Sequence, residues 1–108
     1  MKTFEILHYK VLLGENAEDN ESLLARSRPK DLWFHLSDFP SAHCILVYNE
    51  DPPDDDVVLF CAGLVKRHSK HKAAPRVAVD MIERQYIVRD RGKTGSVIML
   101  QKPRRLIV

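Results

Sequence analysis

The feature that most constrains the fold is a short run in which the character of the side chains alternates. From Leu32 to Leu36, leucine and phenylalanine occupy every second position, and Trp33 and His35 stand between them. Successive side chains of a strand point to opposite faces of the sheet. The run therefore predicts a strand that buries its leucine and phenylalanine face, with Trp33 and His35 together on the other face.

A second strand is predicted directly after this one. Phe39-Pro40-Ser41 has the composition of a turn, and the apolar run from Cys44 to Tyr48 follows it. Two strands joined by a short loop bring together the polar side chains near that loop. We expect a cluster there of His35, Ser41 and His43, with Asp31, Ser41 and His43 in a structural role.

The rest of the chain supplies two helices and several more strands. Apolar spacing and capping residues predict helices over residues 16–27 and 57–70. Further strands are expected over residues 4–13, 76–81, 86–89, 96–101 and 106–108. This order predicts an α+β fold, a mostly antiparallel sheet with two helices packed on one face. A length of 108 residues fits a single compact domain, which we place at residues 1–108.

The charges divide the chain into an acidic half and a basic half. Residues 1–56 hold 5 Lys/Arg and 12 Asp/Glu, a net charge of −7, and residues 57–108 hold 12 and 3, a net charge of +9. A basic surface of this kind suits a polyanion such as nucleic acid. The alternative is that the two halves interleave in the fold and their charges pair.

Nucleic-acid binding needs cations for phosphates and, for single strands, aromatic platforms for bases. Trp33 is the candidate platform, with packing in the core as the alternative, and His35 and His43 would shape the site beside it. The segment Gly92-Lys93-Thr94-Gly95 is either a phosphate cradle built from backbone amides or an ordinary hairpin turn. The cations expected to contact phosphates are Lys66, Lys70, Arg89, Arg91 and Lys93.

Two kinds of chemistry are less well supported. No cysteine pair has the Cys-x-x-Cys spacing of a zinc site, so we expect no metal and no other cofactor. Ser41 and His43, with Asp38, are the residue types of a hydrolase, but the chain has no Gly-x-Ser-x-Gly elbow. We therefore expect a protein that is not an enzyme.

The cysteines and the hydropathy indicate the compartment. Cys44 and Cys61 both lie inside apolar runs, which favours buried free thiols in a reducing environment. No apolar run approaches the ~20 residues of a membrane span. We expect a cytoplasmic protein, with the nucleus as the alternative address.

The central motif also resembles a known family, the NFACT-R domain. The resemblance rests on the pattern Asp-aliphatic-Trp-Phe-His from Asp31 to His35, followed by Ser-Ala-His and an apolar strand. It extends across nearly the whole chain in the family's order, through weaker elements at residues 14–16, 20–24, 62–70, 77–79, 87–89 and 92–97. The resemblance implies a domain that binds RNA and needs no catalytic group.

The resemblance also implies a setting. NFACT-R domains occur within large proteins that act on stalled large ribosomal subunits, and as stand-alone modules. We therefore expect the partner to be RNA, ribosomal or transfer RNA included, with DNA as another ligand. Two further interpretations stay open at this point: a module that binds an acidic or ribosomal protein, and a hydrolase centred on Ser41 and His43.

Overall fold

The computed structural model describes all residues from 1 to 108 and contains eight strands and two α-helices. The helices are α1 (Ala17–Arg26) and α2 (Asp55–Arg67). A short 3-10 helix, Arg84–Tyr86, precedes the sixth strand. The strands are β1 (Lys2–Ile6), β2 (Tyr9–Leu13), β3 (Leu32–Leu36), β4 (Cys44–Leu46), β5 (Ala78–Glu83), β6 (Ile87–Arg89), β7 (Val97–Met99) and β8 (Arg104–Ile107).

Six of the strands form one antiparallel sheet in the order β1-β2-β4-β3-β5-β8, and β6 pairs with β7 in a separate two-stranded sheet. The predicted β3–β4 hairpin is present, and in its register Trp33 is opposite Ile45. The predicted α+β class with a mostly antiparallel sheet is therefore confirmed. The predicted opening strand is divided into β1 and β2 by a turn at Leu7, whose φ is 54°.

The two helices lie on opposite faces of the large sheet, so the prediction that they share one face was wrong. One core packs α2 residues such as Cys61 and Leu64 against Phe34 of β3. The other core packs Leu23 and Leu24 of α1 against Trp33. The reason is local to β3, because Trp33 and Phe34 are both fully buried although they point to opposite faces. Each face therefore needs its own cover.

Capping groups explain where the helices begin. The Asn16 side chain accepts a 2.8 Å hydrogen bond from the Asp19 amide, and the Asp54 side chain accepts one of 3.2 Å from the Val57 amide. Such caps satisfy amides that have no partner within the helix. Helix α2 ends at Arg67, three residues earlier than predicted.

Cys44 and Cys61 are free and fully buried in the α2 core, as predicted. Burial raises the pKa of the Cys44 thiol well above its usual value, and Cys61 beside it raises the pKa further. Neither helix has the length and apolar character needed to cross a membrane.

Candidate nucleic-acid interface

One surface cavity is an open groove of about 930 Å³. Four segments line it: the β3–β4 loop, the loop that enters α1, the turn after α2 and the β6–β7 loop. Many residues of the predicted site line this cavity: Trp33, His35, Ser41, His43, Lys70 and Lys93. We call this cavity the groove.

Three rings form the floor of the groove. The Trp33 and His35 rings are stacked with centroids 5.3 Å apart and an interplanar angle of 8°. The His43 ring stands edge-on to both, 5.2 Å from each. Trp33 is only 1% exposed, so its predicted role as a stacking platform for bases needs correction. The indole face is already covered by His35, and the indole supports the groove from below.

His43 is held by hydrogen bonds from several directions. The Trp33 indole N–H donates to His43 Nδ1 over 3.1 Å, which requires a neutral ring because an indole can only donate. The His43 amide donates to Asn20 Oδ1 over 3.1 Å, and the His43 carbonyl accepts from the Gly14 amide over 2.9 Å. His43 therefore joins β4 to the start of α1.

The ionisation of His43 agrees with these contacts. The pKa of His43 is lowered to about 3, chiefly by burial and also by the neighbouring His35, while a hydrogen bond to the Gly95 backbone acts in the opposite sense. His43 is consequently neutral at physiological pH. A neutral ring cannot supply a charge to an anionic ligand.

His35 is half-buried and lines the groove. Its Nδ1 is 2.7 Å from the Leu36 carbonyl oxygen, so Nδ1 carries the proton and donates. Burial lowers the pKa of His35, and the hydrogen bond to Leu36 and the nearby Asp80 carboxylate partly offset that effect. His35 can offer its other ring nitrogen, Nε2, for polar contact.

Ser41 and Asp31 make hydrogen bonds to backbone groups that hold the ends of the β3–β4 hairpin. Ser41 Oγ accepts from the Leu36 amide and donates to the Ala42 carbonyl, each over 3.0 Å. Asp31 is buried and accepts 2.8 Å hydrogen bonds from the Arg28 and Tyr48 amides. No serine–histidine pair forms, because the hydrogen bonds of Ser41 and His43 go to other groups. Nothing supports the hydrolase interpretation.

The predicted cations are in three different places. Lys70 and Lys93 are exposed along the groove and form no ion pair. Arg89 and Arg91 lie in a separate recess of about 490 Å³ beside Glu21 and Thr94. Thr94 lines both cavities, so the recess adjoins the groove. Lys66 lines neither of them, and its Nζ donates to the Val108 carbonyl over 3.3 Å.

The Gly92–Gly95 segment is the loop of the β6–β7 hairpin, and its Gly95 amide is already paired with a carboxylate of the protein. The Glu21 carboxylate accepts from the Gly95 amide and from the Arg89 guanidinium, both over 3.0 Å. Gly95 has a φ of 79°, which favours glycine. The acidic half therefore neutralises part of the basic half here, and the hairpin turn is the better description of this segment.

The groove is also lined by residues that the sequence did not place in the site, among them Gly14, Asn20, Phe39 and His71. Phe39 is 48% exposed, and its ring lies 4.3 Å from that of His71. A phenylalanine inside a Pro-containing turn was the available signal, because a turn leaves its side chains in solvent. No sequence signal links Asn20 to His43, which are 23 residues apart.

The fold and the groove define a small α+β domain with a partly basic cleft, and comparison with known proteins agrees. The family model described as "NFACT protein RNA binding domain" matches residues 2–100. The chain belongs to this family, as the resemblance of its central motif predicted.

Individual relatives support the assignment. The chain is 36% identical over 89 residues to the Rqc2 homolog RqcH of Streptococcus suis. These aligned residues cover 81% of this chain and 16% of that protein. It is 36% identical over 66 residues to coiled-coil domain-containing protein 25 of Bos taurus. This alignment covers 56% of this chain and 31% of that protein. The chain thus spans less than a third of either relative.

A solved structure has the same fold. The C-terminal part of the fibronectin/fibrinogen-binding protein from Streptococcus suis superposes with a TM-score of 0.85 at 32% identity. The match covers 93% of this chain and 40% of that chain.

Proposed function

We propose that residues 1–108 act as one non-catalytic domain that binds RNA in the groove. The observation that carries this proposal is the presence of two exposed lysines without acidic partners, Lys70 and Lys93, along the same cleft as His35. Phosphate contacts fix a nucleic acid on a protein, and unpaired cations are free to make them. Arg91, exposed in the adjoining recess and also without an ion pair, extends this surface.

The family membership supports the choice of RNA, and the RqcH relatives support a role on the ribosome in translation quality control, in the cytoplasm. DNA is the second nucleic acid to test, because the lysine contacts do not distinguish the sugars. Single-stranded DNA of the same sequence is therefore included as a competitor in the binding experiment.

A direct test removes the two groove lysines. We expect Lys70→Ala combined with Lys93→Ala to weaken RNA binding roughly tenfold at low salt, since each phosphate contact releases counterions. The log–log dependence of affinity on salt should become shallower by about 1.4, from ~0.7 for each lost contact on a single strand. Fluorescence anisotropy with a labelled oligonucleotide at about 50 to 200 mM salt measures both quantities.

The matched control removes the same charge elsewhere. Lys10 and Lys102 are exposed, line neither cavity and form no ion pair. Lys10→Ala combined with Lys102→Ala should leave the affinity within about twofold, because these lysines are outside the groove. Equal losses in the two double variants would mean that net charge alone drives binding, and would refute the groove as the RNA site.

One observation favours the alternative of a protein partner. Val88 and Ile98 are cross-strand neighbours on the β6–β7 hairpin and are 43% and 52% exposed, and Leu100 nearby is 59% exposed. Exposed apolar side chains in a group are typical of protein contacts. If this hairpin binds protein, Ile98→Ser will abolish capture of that partner and leave RNA affinity unchanged.

A further inference from the structure

Phe39 is an exposed aromatic residue at the groove, and the proposed RNA binding by Lys70 and Lys93 does not use it. It belongs to the β3–β4 loop, and the residue is 48% exposed. The ring packs at an interplanar angle of 38° against His71, which follows Lys70 in the turn after α2. One ring is thus supported by a neighbour from a different segment and still presents surface to solvent.

The loop holds Phe39 in this position. Asp38 has a φ of 65°, a left-handed conformation that residues other than glycine adopt infrequently. On the other side of Phe39, the hydrogen bond from the Leu36 amide to Ser41 Oγ closes the loop. A conformation of this kind persists when the surrounding structure determines it, and such conformations are found at binding sites more often than elsewhere.

The surroundings of Phe39 indicate its ligand. Phe39, Lys70 and Lys93 line the same groove. Proteins that bind single strands combine cations that follow the backbone with aromatic rings on which bases stack. The bases of a duplex are stacked on each other and are not available to such a ring. An apolar protein side chain could also cover Phe39, but it would not use the two lysines.

We propose that the groove selects unpaired nucleotides, with one base stacked on Phe39 and the adjoining phosphates on Lys70 and Lys93. This inference rests on the proposed RNA binding and adds to it the class of RNA. Trp33, the platform expected from the sequence, is replaced in that role by Phe39.

The test compares single-stranded RNA with a fully paired hairpin RNA of equal phosphate number. We expect Phe39→Leu, which keeps an apolar side chain but removes the aromatic ring, to weaken single-strand binding about tenfold. Binding of the paired RNA should change by less than about twofold, and the salt dependence should not change because no charge is lost. Thermal unfolding of Phe39→Leu should match the parent, since the side chain is exposed.

A second variant gives a direct readout of stacking. Phe39→Trp should retain single-strand affinity, and the fluorescence of the introduced indole should be quenched by single-stranded RNA and not by the paired RNA. The buried Trp33 gives a constant background, which the parent protein measures.

The outcomes separate the two proposals. Suppose that Phe39→Leu changes the affinity for neither the single-stranded nor the paired RNA, while loss of Lys70 and Lys93 weakens RNA binding. Base stacking on Phe39 is then refuted, and RNA binding in the groove stands. If Phe39→Leu weakens both RNAs equally, selection of unpaired nucleotides is refuted. If none of these variants alters RNA affinity, the proposed function itself fails.

Discussion

Gly14→Ala is expected to lower the free energy of unfolding by about 2–3 kcal/mol, and the melting temperature by roughly 10 °C. A Cβ at Gly14 would lie 2.2 Å from Asn20 Oδ1, which is too close for any real contact. That oxygen accepts the hydrogen bond from the His43 amide, so its displacement leaves a buried donor without a partner. Chemical denaturation followed by circular dichroism measures the difference.

Gly92→Ala is the matched control for this substitution. A Cβ at Gly92 would meet its nearest neighbour, Asp90 Oδ1, at 3.4 Å in an exposed loop. We expect a change within about 0.5 kcal/mol. A double variant gives a further check. In an Asn20→Ala background the Asn20 oxygen is absent, so Gly14→Ala should lower the free energy of unfolding much less than it does in the parent protein. Fully additive costs would show that the clash with Asn20 is not the cause.

Acidification is expected to destabilise the domain through His43, by about 2 kcal/mol between about pH 7 and pH 5. His43 in the unfolded chain takes up a proton near the ordinary value of 6.5, whereas in the folded chain its pKa is about 3. The unfolded state therefore binds more protons in this window, and stability falls as pH falls. The lowered pKa of the neighbouring His35 acts in the same direction.

His43→Gln separates this effect from general acid denaturation. The variant should be less stable at about pH 7, because it loses the hydrogen bond from Trp33 to the ring. In this variant the free energy of unfolding should also lose most of its dependence on pH, which a single titrating group can raise to about 1.4 kcal/mol per pH unit. Denaturant titrations of both proteins across this range provide the measurement. An unchanged pH dependence in His43→Gln would assign the acid sensitivity to other groups.

The secondary structure and the family were predictable from local patterns. The Leu32–Leu36 alternation identified β3, the cap at Asn16 identified the beginning of α1, and the apolar spacing from Val57 identified α2, which begins two residues earlier than predicted. These signals are local, because a strand's periodicity and a helix cap involve residues a few positions apart. The Trp-Phe-His and Ser-Ala-His motif likewise led to the family that the comparisons confirm.

The opposite placement of the two helices was harder to predict. It depends on Trp33 and Phe34 both being buried, whereas alternation alone suggested one buried face. The sequence shows that a residue is apolar, but the second layer that covers it comes from a distant segment. In this chain that layer is α1 for Trp33 and α2 for Phe34.

The composition of the groove was determined by long-range pairing. The sequence by itself determined most of the strands, both helices, the buried cysteines and an excess of cations in the second half. Only the tertiary structure decided which cations are free, because Glu21 reaches Arg89 across 68 residues while Lys70 and Lys93 form no ion pair. It also buried Trp33 and left Phe39 in solvent, since burial depends on which segments pack together and not on the type of residue.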